Sequence, residues 1–213
     1  MDFIFLCEGV NDQIFIKHLL IQFLNVRQDE ILQIKNFQDL QEKINANKLR
    51  KYSICKLDGF DNLIRTSPKF IRQIWSKSYI KSIIIISDSD KGPLREKFKK
   101  NFNQYLNQPC KRHNINPIME NINNYSISII FKKNFNLIIG LLEIQNSLEF
   151  QLGNIIRNKY NEFKHISNHK KIIEEFSKKM GYNRESVIEI FLNDLNNENW
   201  FKTFINNLKQ LLY

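Results

Sequence analysis

Cysteine is scarce in this chain: three in 213 residues, Cys7, Cys55 and Cys110, with no C-x-x-C pair among them. That spacing excludes a zinc ribbon. Cys7 and Cys55 fall in apolar, strand-like runs, which predicts buried free thiols in a reducing compartment. Long hydrophobic runs are also missing. No uninterrupted apolar stretch approaches the roughly 18 residues of a membrane-spanning helix, and no basic region precedes an apolar one at the N-terminus as in a secretion signal. The expectation is a soluble, cytoplasmic protein without a membrane partner. Acidic residues are in deficit: 32 Lys and Arg stand against 22 Asp and Glu, a net charge of +10, which favours anionic partners such as nucleic acid.

What is present is ample core material, 42% hydrophobic with 12% aromatic residues. The densest run is Ile83-Ile84-Ile85-Ile86, a short strand buried on both faces, which leads directly into Ser87-Asp88-Ser89-Asp90. In extended backbone side chains alternate, so Asp88 and Asp90 are expected to point the same way. Two carboxylates side by side repel unless a cation lies between them, and oxygen-rich pairs suit a hard divalent ion.

Upstream, Phe3–Cys7 reads as a strand closing on Glu8-Gly9, and a helix pattern follows at Ile14, Phe15, Leu19, Leu20, Phe23 and Leu24, with Asn11 or Asp12 as its N-cap. Further strands are predicted at Ile31–Ile34 and Tyr52–Leu57. A short polar helix is expected around Gln38–Asn45, and another from Leu63 to Trp75 despite Pro68. Asp58 and Asp61 belong to the turn before that helix. Alternating strands and helices predict an α/β fold with a mainly parallel sheet. Functional groups then gather beyond the carboxyl ends of the strands. Glu8 and the Asp88/Asp90 pair both lie at such ends, and Asp12 follows one helical turn after Glu8.

From Lys91 to Phe135 there are nine Lys and Arg (Lys91, Arg95, Lys97, Lys99, Lys100, Lys111, Arg112, Lys132, Lys133) against Glu96 and Glu120, a net +7 beginning beside the aspartates. An acidic centre flanked by cations suits a phosphodiester; a solvated basic helix face is the plainer explanation. Tyr125–Phe131 and Phe135–Leu142 read as strands paired through Lys132-Lys133-Asn134. Beyond them apolar spacing is helical at Leu148–Ile156, Lys170–Met180, Glu185–Leu195 and Trp200–Leu211. The expected organisation is an α/β domain over residues 1–145 and a helical extension over 146–213. His165 and His169 stand four apart, but the intervening Ser167-Asn168 marks a helix cap rather than a zinc site.

The pair of motifs resembles the TOPRIM domain: Glu8-Gly9-Val10-Asn11-Asp12 resembles its E-G-x-x-D form, and Asp88-Ser89-Asp90 its D-x-D. The resemblance covers residues 2–150 and is similar to OLD-type nucleases and their stand-alone relatives, whose L-E pair opening a helix is matched by Leu148-Glu149. It implies a TOPRIM-like, Rossmann-like fold and Mg²⁺- or Mn²⁺-dependent cleavage of nucleic acid, DNA ahead of RNA. Glu8, Asp88 and Asp90 would be metal ligands and catalytic groups, Asp12 and Glu149 would complete a second site, and Lys91 would neutralise phosphate. Glu143 competes with Glu149 for that place. The chain has no G-x-x-x-x-G-K-[ST], so it lacks the ATPase domain of full-length OLD proteins. The resemblance leaves room for a separate ATPase chain and for a homodimer. The alternatives are a non-catalytic nucleic-acid- or partner-binding TOPRIM module and a hydrolase of small phosphorylated molecules.

Overall fold

The computed structural model describes residues 2–74, 77, 79–106, 118–131 and 135–213. Trp75, Cys110, Lys111, Arg112 and the Lys132-Lys133-Asn134 connection lie outside these. The chain is a mixed α/β protein, and its described residues form seven strands: β1 (Asp2–Cys7), β2 (Ile31–Ile34), β3 (Tyr52–Lys56), β4 (Ile80–Asp88), β5 (Ile118–Asn123), β6 (Ser126–Phe131) and β7 (Phe135–Ile144). They form one sheet in the order β2-β3-β1-β4-β7-β6-β5. The first five positions of that order pair in parallel, and β6 and β5 add an antiparallel edge. The sequence pattern does not reveal β5, because its mostly exposed residues carry no buried alternation.

The four isoleucines show why β4 is central. Ile83 and Ile85 belong to the core on one face of the sheet, and Ile84 and Ile86 to the core on the other. All four are fully buried, each contributing about 1.5–3 kcal/mol of transfer free energy. The first core is roofed by α2 (Phe37–Asn45), α3 (Phe60–Ile74) and α4 (Leu94–Leu106). The second is roofed by α1 (Val10–Leu24) together with α5 (Leu148–Lys159), α6 (His169–Met180), α7 (Arg184–Leu195) and α8 (Asn199–Leu212). Residues 146–213 thus share one continuous core with α1 and the sheet. Two glycines permit close approach: a Cβ on Gly140 of β7 would meet Leu211 Cδ1 of α8 at 2.4 Å, and one on Gly153 of α5 would meet His169 Cα at 3.2 Å.

The four C-terminal helices fall where apolar spacing predicts, and Gly181 ends α6 in the left-handed conformation at φ 69°. Cys7 and Cys55 are buried free thiols. They sit on adjacent strands but in opposite cores. None of the described helices is long and apolar enough to cross a membrane.

Candidate functional site

In register, Cys7 of β1 stands opposite Ile86 of β4, and Asp88 of β4 opposite Ile144 of β7. The carboxyl ends of three neighbouring parallel strands therefore open at one level. β1 is the switch point: the chain leaves it through α1 toward β2 and β3 on one side, and later reaches β4 on the other. There Glu8 Oε1 accepts the main-chain N–H of Asp88 at 3.0 Å. The two sequence motifs, eighty residues apart, meet directly.

The helix following Glu8 is capped differently from the sequence expectation. Gly9 is the N-cap, and Asp12 reaches back from the third helical position, its Oδ2 accepting Gly9 N–H at 2.9 Å. Asp12 is buried. The alternation argument for the aspartates also needs correction. β4 ends at Asp88, and Ser89–Lys91 form a single 3₁₀ turn, so Asp90 does not continue the pleat. Asp90 reaches the cleft because this turn is pinned: its N–H donates to Asn146 C=O at 3.1 Å, and Asn146 N–H donates to Ser89 Oγ at 2.8 Å. Asn146 takes a left-handed conformation, φ 60°, where the chain leaves β7 for α5. At the start of α5, Leu148 N–H donates to Asp88 Oδ1 at 3.3 Å. Glu149 one residue later accepts from Asn11 Nδ2 at 2.7 Å.

Glu8, Asp12, Asp88, Asp90 and Glu149 accordingly line one cleft of about 510 Å³. Glu143 does not. It is exposed on β7 and accepts Leu94 N–H at 2.9 Å, at the start of α4. Between the two competing glutamates, Glu149 is the one in the cleft. Lys91 is there too, 3.5 Å from Asp90. Asp58 lies on the rim with a left-handed backbone, φ 52°, and is ion-paired with Lys56, whereas Asp61 belongs to the first turn of α3. His169 packs its ring on Phe150 with centroids 4.6 Å apart, away from this cleft.

The far wall was not legible as functional. Lys170 of α6 and Arg184 of α7 line it as cations, with the acid Glu174 of α6 between them in sequence, from a segment whose overall charge is nearly balanced. Asn11 is the other addition. Arg95 of the basic run points elsewhere: it donates to Asn123 C=O at 2.6 Å and to Asn121 Oδ1 at 2.9 Å, tying α4 to β5.

Electrostatics follow from this crowding. Burial, reinforced by Asp12, Glu8, Glu149 and Asp90, raises the Asp88 carboxyl to about 8. Burial raises Asp12 to about 7, with Glu149 and Glu8 adding to it and the Gly9 N–H opposing. Glu8 is also raised by burial, against the Asp88 N–H and Lys91.

Among the described residues no three carboxylate, imidazole or thiol groups stand in a ready-made metal-ligand arrangement. Glu8, Asp12 and Asp88 are turned onto backbone N–H groups and Glu149 onto Asn11. The donor set nonetheless fits a hard divalent cation. It is all oxygen, its carboxylates crowd Asp88 and Asp12 and raise their proton affinity, and Asn11 Oδ1 is buried in the same cleft without a hydrogen-bond partner.

No family model matches the chain, and no curated protein matches it in sequence. Among solved structures it is similar to the hypothetical protein PH0156 from Pyrococcus horikoshii OT3, with a TM-score of 0.59 and 12% identity, covering 99% of this chain and 98% of that one. This likeness concerns the fold.

Proposed function

We propose that the cleft is a Mg²⁺- or Mn²⁺-dependent phosphodiester-cleaving centre acting on nucleic acid, DNA ahead of RNA, in the manner of a stand-alone TOPRIM module. The observation that carries the reading is the contact between Glu8 and the Asp88 N–H at 3.0 Å. It joins the E-G-x-x-D and D-x-D segments at adjacent strand ends. Glu8, Asp88 and Asp90 are the ion-holding groups, and Asp12 and Glu149 the groups for a second ion. When bound, such ions activate water and stabilise the leaving oxygen.

The rest of the work falls to the chain's own residues. Lys91 on one bank and Lys170 and Arg184 on the other neutralise phosphate oxygens on either side of the carboxylates. Ser147, whose hydroxyl accepts Phe150 N–H at 3.2 Å, fixes the start of α5 and with it Glu149. The Asn146 bracket holds the Asp90 turn against α5.

The test is incubation with plasmid, linear and single-stranded DNA and with RNA, in Mg²⁺ and in Mn²⁺, with Glu8→Ala and Asp88→Ala in parallel. Cleavage that both substitutions abolish is the expected result. Cleavage unchanged in both would falsify the assignment. A second reading, a non-catalytic nucleic-acid- or partner-binding module, is favoured by the carboxylates being engaged by N–H donors instead of facing a common point. Salt-sensitive binding without cleavage would select it.

A further inference from the structure

Beside the carboxylate cleft lies a second cavity of about 570 Å³, and the two share Asp58, Gly59 and Lys91 in their walls. Its other side is formed by Phe60 at the start of α3 and Lys97 of α4. Phe60 is half-buried: it packs against the core on the α3 side and still borders the cavity. Lys97 Nζ rests 4.6 Å from the centre of the Phe60 ring and donates to the carbonyl of Lys91. Among the described residues Lys97 has no carboxylate partner, whereas Asp58 on the shared wall is already paired with Lys56.

We propose that this cavity is a nucleotide subsite, which takes the nucleotide adjoining the cleaved phosphodiester with its unpaired base stacked on Phe60 and its phosphate held by Lys97. The inference rests on the phosphodiester-cleaving reading of the neighbouring cleft and deepens it by specifying the substrate as a single-stranded or frayed segment.

The chemistry is an exchange of partners. In the free protein the ammonium covers the aromatic face, a weak contact at a solvent-accessible site. A base stacks on an aromatic ring more strongly than that, whatever its identity. The displaced ammonium then finds a phosphate oxygen in place of a main-chain carbonyl, and a charge-assisted bond replaces a neutral acceptor. The carboxylates of Asp58 and Asp61 also line the cavity, so the phosphate belongs with the cations Lys91 and Lys97, which the Lys97 bond to the Lys91 carbonyl brings together beside the cleft. In a duplex both faces of a base are covered by its neighbours, and Phe60 has nothing to receive.

The experiment compares the native chain with Phe60→Ala, Phe60→Leu, Phe60→Trp and Lys97→Ala. It uses a labelled 12-nucleotide oligo-dT, the same strand in a duplex, and a labelled abasic strand of the same length, a diester without bases or other aromatic rings, in Mn²⁺. Phe60→Ala, Phe60→Leu and Lys97→Ala each raise KM for the single strand about 10-fold, the scale of one lost base stack. In Phe60→Ala and Phe60→Leu, turnover and hydrolysis of the base-free diester stay as in the native chain, and Phe60→Trp restores the single-strand KM. An unchanged single-strand KM in Phe60→Leu, with the base-free diester still cleaved, overturns the subsite and leaves the cleavage reading intact. If the native chain cleaves nothing, the cleavage reading fails, and fluorescence anisotropy of the same oligonucleotide decides the subsite. A tenfold weaker Kd in Phe60→Leu, rescued in Phe60→Trp, supports it, and an unchanged Kd overturns it.

Discussion

Glu8 and Asp88 are joined by a single hydrogen bond from the backbone of one to the carboxylate of the other, at 3.0 Å. This contact does two opposing things. It gives the Glu8 carboxylate a donor, and it anchors a second carboxylate beside it, so that the pair tolerates a shared anionic pocket only in part.

The first prediction concerns that tension. Asp88→Asn keeps an oxygen to accept the Leu148 N–H and removes one negative charge from the cluster. Without divalent cations its Tm at pH 8 should exceed that of the native chain; with 10 mM Mg²⁺ (an experimental choice of about this order, above the usual affinity of a few-carboxylate site) the native chain should gain and the variant should not. Cleavage should fall by about 10²–10³-fold, the scale of losing one preorganised electrostatic contact. Differential scanning fluorimetry and a gel assay read both. An equal Mg²⁺ shift in the two proteins would contradict the assignment.

The same groups set a pH dependence whose sign is fixed. Asp88 and Asp12 have ordinary values of 3.8 and rise to about 8 and about 7 in the fold. The folded chain thus holds protons that the unfolded chain has released. Their contribution to stability is complete below pH 3.8 and is lost as pH rises through about 7 and then about 8. Considering these groups, ion-free Tm should decline from pH 5 to pH 9, while the increment from added Mg²⁺ grows over the same interval as the carboxyls deprotonate. In Asp88→Asn the ion-free decline should be shallower. A native ion-free Tm rising across this range would be the wrong sign.

Lys170 and Arg184 supply a third prediction. If both meet phosphate, Lys170→Ala and Arg184→Ala should each weaken single-strand binding at low salt. Each should also reduce the slope of log K against log salt by about 0.7, the counterion release of one single-strand phosphate contact. Lys171, exposed and absent from the cleft lining, is the control and should leave the slope unaltered.

A fourth prediction addresses the seat of α8. Gly140→Val places branched carbon where Leu211 Cδ1 lies 2.4 Å from an added Cβ. Overpacking of this kind costs about 1–3 kcal/mol. Pairing it with Leu211→Ala should recover part of that loss, because the two changes compete for one volume. Urea denaturation of the two single variants and the double variant measures the coupling; strictly additive losses would argue against the contact.

Legibility in the sequence followed burial. The Ile83–Ile86 run and Phe3–Cys7 announce strands because both faces are apolar, and the acidic residues just after them stand out as chemistry at strand ends. Glu149 and Glu143 could not be separated by pattern, since only the register of β7 and the Leu94 N–H decide which one turns away. Asp90 reaches the cleft through a pinned 3₁₀ turn that two-residue alternation does not describe. Lys170 and Arg184 lie on helices whose polar residues look like ordinary solvated surface until α7 is packed against α1 and α6 against α5. β5 escaped notice for the converse reason: a strand exposed along most of its length leaves no apolar rhythm.

The shared core of α1 and the four C-terminal helices bears on transplantability. One bank of the cleft comes from strand ends and the other from α5, α6 and α7, and the same apolar cluster holds both. The acidic motifs therefore cannot be grafted as a self-sufficient cassette. Moving residues 1–145 into another host would carry Glu8, Asp88 and Asp90 but leave behind Glu149, Lys170, Arg184 and the roof over Phe15, Leu19 and Ile84. In this chain the unit that can be exchanged is the whole two-sided sandwich.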